Sequence, residues 1–312
     1  MSERKEMKSI RTTRRSVARN VVVSVFLLGL CIGSGFGANI GTVVPVVGRV
    51  ADVAYDESRG LVYLANFTGN QVNVYSVASA SMLSPMPTGQ GPASMAISPD
   101  AQRLYVANTG SLSISIFDLN TQQRLGDIAV TTRPDAVAMG FDGLLLVLGP
   151  AGLLRIDPAS GQIFPLSVSV PPVPAGFPNI AVSPVPGGFR AGLVTSASGS
   201  LIVGLNQTPG AGGGRLFVYD VASQTVLRSR NITGILAMLS VAPDGSRFMA
   251  GPFLFDTQTL AMLGRTGTVS NVLTGGSAFS VDGNTVYATF STQPPINPLN
   301  TGIRISQVPC WV

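Results

Sequence analysis

The chain has 312 residues, 45% of them hydrophobic and 11% charged, and it contains no histidine. That absence excludes Ser-His-Asp and Cys-His relays, His-ligated haem and the usual His-containing zinc sites. The formal charge of +5 is local, because seven of the 20 basic and two of the 15 acidic residues lie in the first 38 positions. The remaining 13 arginines face 13 carboxylates, so no bulk electrostatic footprint for nucleic acid is present.

Residues 1–38 read as an export signal and stand outside the fold. Arg4, Lys5, Lys8, Arg11, Arg14, Arg15 and Arg19 form a basic head. Val21 to Ile32 is apolar, and Gly33 to Ala38 supplies small residues for cleavage after Gly37 or Ala38. Thr13-Arg-Arg-Ser16 resembles a twin-arginine signal with Val17-Ala18 in place of the usual aromatic-Leu pair. Leu28-Gly-Leu-Cys31 resembles a lipoprotein box, but Leu30 is too large for the residue before the modified cysteine. The apolar stretch falls short of the ~20 residues of a membrane span. The expected location is therefore the periplasm, the cell surface or the medium, with membrane contact only through this segment. Cys310 is the single cysteine outside it, so no intrachain disulfide is expected and the core must supply the stability.

Residues 39–312 are expected to form one domain. Asn39 to Val53 reads as a lone strand, with Val43-Val-Pro-Val-Val47 in the place of an outer strand. A turn-strand-turn-strand unit then recurs, beginning near Asp56, Asp100, Asp142, Ser183, Asp244 and Asp282. The first spacings match the ~40–45 residues of a four-stranded propeller blade. Runs such as Leu144 to Leu148, Leu216 to Tyr219 and Phe253 to Phe255 are too short for helices and apolar on both faces. Such strands must be covered on both sides, as a blade is by its neighbours. The fourth unit is longer. Its Thr208-Pro-Gly-Ala-Gly-Gly-Gly214 reads as a hairpin tip, because a phosphate-binding loop would need a helix after it and Arg215 to Tyr219 is a strand.

The second strand of each unit carries a short word: Tyr63-Leu-Ala-Asn66, Tyr105-Val-Ala-Asn108, Val203-Gly-Leu-Asn206, Phe248-Met-Ala-Gly251 and Tyr287-Ala-Thr-Phe290. On these words the chain resembles the YVTN-type β-propeller repeat proteins, which are often exported, over roughly Gly41 to Val308. The resemblance implies the fold strongly and the activity weakly. The expected fold is all-β, a single propeller of six four-stranded blades, with seven as the alternative. The N-terminal strand is expected to complete the last blade and close the ring.

Carboxylates can be assigned by position. Asp118, Asp157, Asp220 and Asp256 end strands as Asp-x-x-Ser/Thr, with Ser76 standing in for Asp in the first unit. Asp56, Asp100, Asp142, Asp244 and Asp282 occupy the other turn. Such side chains bind nearby backbone N–H groups and fix turns. Asp52, Glu57, Asp127 and Asp135 are left; a glycosidase pair or a calcium cluster would need two or more of them to converge, and although Asp52 and Asp135 are both within reach of the central mouth of the ring, no site is assigned there. No catalytic residue, metal or cofactor is expected. The candidate interaction surface is the set of loops before each first strand, with Arg49, Gln90, Arg133 and Phe177 as binding residues for a protein or small-molecule partner. The function expected is an exported, non-catalytic binding or scaffold module. A propeller enzyme of lactonase or quinoprotein type and a binder of anionic polymer are the alternatives.

Overall fold

The computed structural model describes residues 44–166, 191–207, 213–233, 238–265, 273–291 and 304–309. The chain divides into compact units 1–45 and 46–312, and all strands belong to the second. No helix occurs among the described residues.

The strands form consecutive antiparallel meanders. The first sheet holds β1 (Val50–Asp56), β2 (Leu61–Asn66) and β3 (Gln71–Ser76), with its outer edge made in two pieces, β4 (Ser81–Met82) and β5 (Met86–Pro87). The second holds β6 (Pro92–Ile97), β7 (Arg103–Asn108), β8 (Ser113–Asp118) and β9 (Gln123–Ala129). The third holds β10 (Ala136–Met139), β11 (Leu145–Gly149), β12 (Gly152–Ile156) and β13 (Ile163–Leu166). The fourth runs through β14 (Ala191–Thr195), β15 (Leu201–Gln207), β16 (Gly213–Asp220) and β17 (Thr225–Thr233). The fifth runs through β18 (Leu239–Val241), β19 (Arg247–Ala250), β20 (Phe253–Asp256) and β21 (Met262–Arg265). A last sheet has three strands, β22 (Leu273–Phe279), β23 (Thr285–Ser291) and β24 (Arg304–Pro309). The first strands β1, β6, β10, β14, β18 and β22 pack against one another in that order, the arrangement of a β-propeller.

Five sheets are thus complete, four-deep blades and the last has three strands, which corrects the expectation of six or seven four-stranded blades. The N-terminal stretch is corrected as well. Residues 44–49 form no strand, and the strand that begins at Val50 is the innermost strand of the first blade. Val43-Val-Pro-Val-Val47 has the composition of an outer strand, but the described Val47 is in no strand, and its carbonyl accepts from Asn66 Nδ2 at 2.7 Å. Residues 39–43, the stretch 167–190, the hairpin tip 208–212 and Cys310 lie outside the described residues.

Packing between blades explains why the strands carry apolar residues on both faces. In β11, Leu145 and Val147 enter the core shared with the second blade, while Leu146 and Leu148 enter the core shared with the fourth. Tyr63 and Phe117 fill the seam between the first two blades, and Phe248 and Phe255 stack at 5.3 Å in the seam between the fourth and fifth. Each fully buried side chain of this size contributes about 1.5–3 kcal/mol from burial.

Candidate functional site

The loop face is organised by the asparagine that ends the repeated word. Asn66 is buried, accepts from the Gly69 amide at 2.9 Å and donates to Asn73 Oδ1 at 2.9 Å as well as to Val47. Asn108, fully buried in the second blade, donates to Ser115 Oγ at 2.9 Å. The loop glycines close down on these amides. A Cβ at Gly48, where φ is +101°, would stand 2.5 Å from Asn66 Oδ1, and one at Gly89 would stand 2.9 Å from the Asn108 amide. In the third blade the matching position is Gly149, and the space left by the missing side chain is taken by the Arg133 carbonyl, 2.3 Å from where a Cβ would lie.

Arg49 and Arg133 occupy equivalent places, each three residues before the first-strand residue, Asp52 or Ala136, that pairs with the residue preceding Asn66 or Gly149. The exposed Arg49 holds its guanidinium 4.8 Å from the Phe67 ring centre, a cation–π contact, and its amide donates to Thr68 Oγ1 at 3.0 Å. Arg133 makes a two-pronged pair with Asp135, Nε to Oδ1 at 2.6 Å and Nη2 to Oδ2 at 3.0 Å. Hydrogen bonding to the Asp135 carboxylate raises the Arg133 pKa above its ordinary value. Gln90 is exposed, and its backbone is pinned by Ser111 Oγ and the Gly110 amide. Phe177 lies outside the described residues. The described candidates therefore sit in the loops that precede the first strands of three successive blades.

The opposite face is built by the turn carboxylates. Asp100 accepts from the Ser98 hydroxyl at 2.5 Å and the Gln102 amide at 3.0 Å; Asp282 does the same with Ser280 and Asn284. Asp142 accepts from the Leu144 amide and Asp244 from the Ser246 amide. In the other turn, Asp118, Asp157, Asp220 and Asp256 accept from amides two or three residues on, and Ser76 Oγ takes this place in the first blade. These bonds hold the carboxyls of Asp100, Asp118, Asp157, Asp244 and Asp282 below the usual carboxylate range. Asp56 is nearly fully buried. Burial alone would raise its pKa, but hydrogen bonds from Ser58 and Arg59 outweigh that and lower it.

Between the two faces, the first strands of the first five blades line a partly open axial cavity of about 640 Å³. Its walls include Val53, Met95, Val137, Met139 and Leu193, and it reaches the turns after the first strands at Pro99, Phe141 and Ser198. The carboxylate at its border is Asp52. A β-bulge between Val50 and Asp52 re-aims the chain there, and the second blade repeats it between Pro92 and Ser94. Asp52 Oδ2 accepts from the Met95 amide at 2.7 Å and Oδ1 from the Val53 amide at 2.8 Å. Burial pushes its pKa up to about 6, against the opposing effect of hydrogen bonds from Met95, Val53 and Ser94. Asp52 thus joins the first blade to the second. Ser94 joins the second to the third, accepting from the Val137 amide at 3.2 Å, and Thr195 joins the fourth to the third by donating to the Met139 carbonyl at 3.1 Å. Sequence reading left Asp52 as a spare carboxylate; its place three residues after Arg49 was the available signal.

No protein-family model and no functionally curated protein matches the chain. Solved structures do resemble it. Hydrazine synthase of Kuenenia stuttgartiensis aligns at a TM-score of 0.61 and 18% identity, over 80% of this chain and 79% of that one. The β-propeller domain of Myceliophteria thermophila Cps50 (Swd1) aligns at 0.60 and 13% identity, over 86% of this chain and 90% of that one. At these identities the likeness shows the β-propeller fold alone, the fold implied by the repeated strand words.

Proposed function

We propose that the protein is an exported, non-catalytic β-propeller scaffold of the periplasm or cell surface, which binds a protein partner through the loops of Arg49, Gln90, Arg133 and Phe177. The observation that carries this reading is the use of the carboxylates. The nine turn aspartates are committed to backbone and hydroxyl donors, and Asp127 and Asp135 pair with Arg124 and Arg133. Among the described residues no group of three or more metal-ligating side chains converges, and the axial cavity is bordered by one carboxylate. General acid–base hydrolysis needs two groups placed on either side of a reacting atom. The loops, by contrast, offer Arg, Gln and aromatic side chains on a rigid frame, the composition of an interface anchor. The signal-like residues 1–38 support export.

The test expresses the full chain with a C-terminal tag and a photo-crosslinking residue at Gln90. Recovery from the cell envelope with a new N-terminus near Asn39, and a discrete crosslinked protein lost in an Arg49→Ala, Arg133→Ala double variant, are the expected results. Retention in the cytoplasm with residues 1–38 intact, or catalytic turnover by the pure protein, overturns the reading.

A further inference from the structure

Linking adjacent first strands across the channel does not require a charge. Ser94, the residue equivalent to Asp52 one blade on, makes the same kind of link with a neutral hydroxyl, and Thr195 does so between the third and fourth blades. Asp52 adds a carboxylate that makes no ion pair among the described residues. Its described partners are the amides of Val53 and Met95 and the hydroxyl of Ser94, which supply dipoles but no compensating charge. The first strand packed beside it, β6, and the strands that line the cavity with it, β10, β14 and β18, contain no ionisable residue. The cation nearest in the chain is Arg49, set over Phe67, and the next, Arg59, holds Asp56. A carboxylate withdrawn from water is costly unless something positive meets it.

We propose that the axial cavity is a binding site for a small organic cation bearing an ammonium N–H, with Asp52 as its counter-ion. A carboxylate has about four lone-pair positions, and three neutral donors leave one for an N⁺–H. The cavity of about 640 Å³ falls within the range of small-molecule sites. Val53 is exposed at the wall, Met95, Val137 and Met139 turn their side chains into the cores between blades and leave their backbone to line the space, and Thr195, Ser196 and Ser198 add hydroxyls toward the turn end. A bare metal ion fits less well, since hard cations take six or more oxygen ligands and no cluster of acidic side chains meets here among the described residues. This site goes beyond the scaffold reading and does not depend on it, because the cavity reaches the turn face and not the loops of Arg49 and Gln90.

The test is calorimetric titration of the purified full chain with 2-phenylethylammonium chloride, with 2-phenylethanol as the neutral probe of like size and calcium chloride as the metal probe. The ammonium should bind saturably and at least about tenfold more tightly than the alcohol, which corresponds to about 1.4 kcal/mol. Asp52→Asn, which keeps an acceptor for the Met95 amide, should remove that preference while leaving the weak binding of the alcohol unchanged. Asp52→Ser, the residue of the second blade, should do the same and serves if the first variant fails to fold. Equal affinity for ammonium and alcohol, undiminished ammonium binding by a folded Asp52 variant, stronger binding of calcium, or no binding of the ammonium by folded wild-type protein overturns the proposal.

Discussion

The guanidinium of Arg59, in the first turn of the first blade, donates to the carbonyl of Ala101 in the matching turn of the second at 2.7 Å. The same side chain holds the buried Asp56 carboxylate at 2.8 Å and reaches Asn120. One arginine thus fastens two blades at the turn face while neutralising a carboxylate that is 1% exposed. Arg59→Ala leaves Asp56 with only Ser58 and backbone donors, and should cost about 2 kcal/mol by the penalty of an unpaired buried charge. Urea denaturation should show a lower midpoint. Asp56→Asn in the Arg59→Ala background should recover part of the loss, and strictly additive effects in this double-mutant cycle would contradict the clamp.

The close approach of loop to strand in the third blade predicts an asymmetric response to alanine. Gly149→Ala puts a methyl 2.3 Å from the Arg133 carbonyl, a contact with backbone that cannot swing aside. Overpacking of this kind costs about 1–3 kcal/mol. Gly126→Ala, in the outer strand β9 with nothing within 4 Å of the new methyl, should change stability by less than about 0.5 kcal/mol. Thermal melting of the two variants side by side measures the difference.

Much of this architecture was legible because the repeat writes its turns in side chains that act locally. An aspartate two residues before the amide it binds is visible in any sequence, and Asp100, Asp118 and Asp244 all behave as their spacing implied. Leu144 to Leu148 announced burial on both faces for the same reason. The failures concern relations between distant segments. Val43 to Val47 has the composition of an outer strand, and nothing local reveals that Asn66 binds the Val47 carbonyl. The importance of Asp52 was hidden because the bulge at Ala51 and the Met95 amide lie on two blades. Gly149, at the place Asn108 takes in the second blade, exchanges a side chain for the Arg133 backbone, which the sequence does not show.

Tyr63 offers a test of a buried polar group. Its ring is fully buried between the first and second blades, and its hydroxyl has no partner among the described residues. Burial, with the nearby Asp56 charge, raises its pKa to about 12, so it stays neutral and unpaired at all ordinary pH values. Removing an unsatisfied hydroxyl relieves a desolvation cost and keeps the ring. Tyr63→Phe should therefore leave the melting temperature unchanged or raise it by a few degrees, whereas Tyr63→Ala should cost about 3–5 kcal/mol. A clear loss in the phenylalanine variant would reveal a hydrogen bond to that hydroxyl.

The raised pKa of Asp52 makes a signed prediction about pH. Its carboxyl moves from 3.8 toward about 6 on folding, chiefly through burial. Between these values the folded protein retains a proton that the unfolded chain has released, so this group's contribution to stability falls as pH rises through the window. The turn aspartates with lowered pKa act oppositely, losing their contribution as pH falls through their own folded values. The overall curve therefore mixes both, and the informative quantity is the difference between wild type and Asp52→Asn. Asparagine cannot ionise yet can still accept from Met95. The variant should gain relative to wild type as pH rises from about 4 to about 7, by on the order of 2 kcal/mol at the upper end. Denaturation midpoints at four pH values across that range suffice. A difference that stays flat would mean that Asp52 ionises as easily in the channel as in water, and would remove the electrostatic cost from which the cation site was inferred.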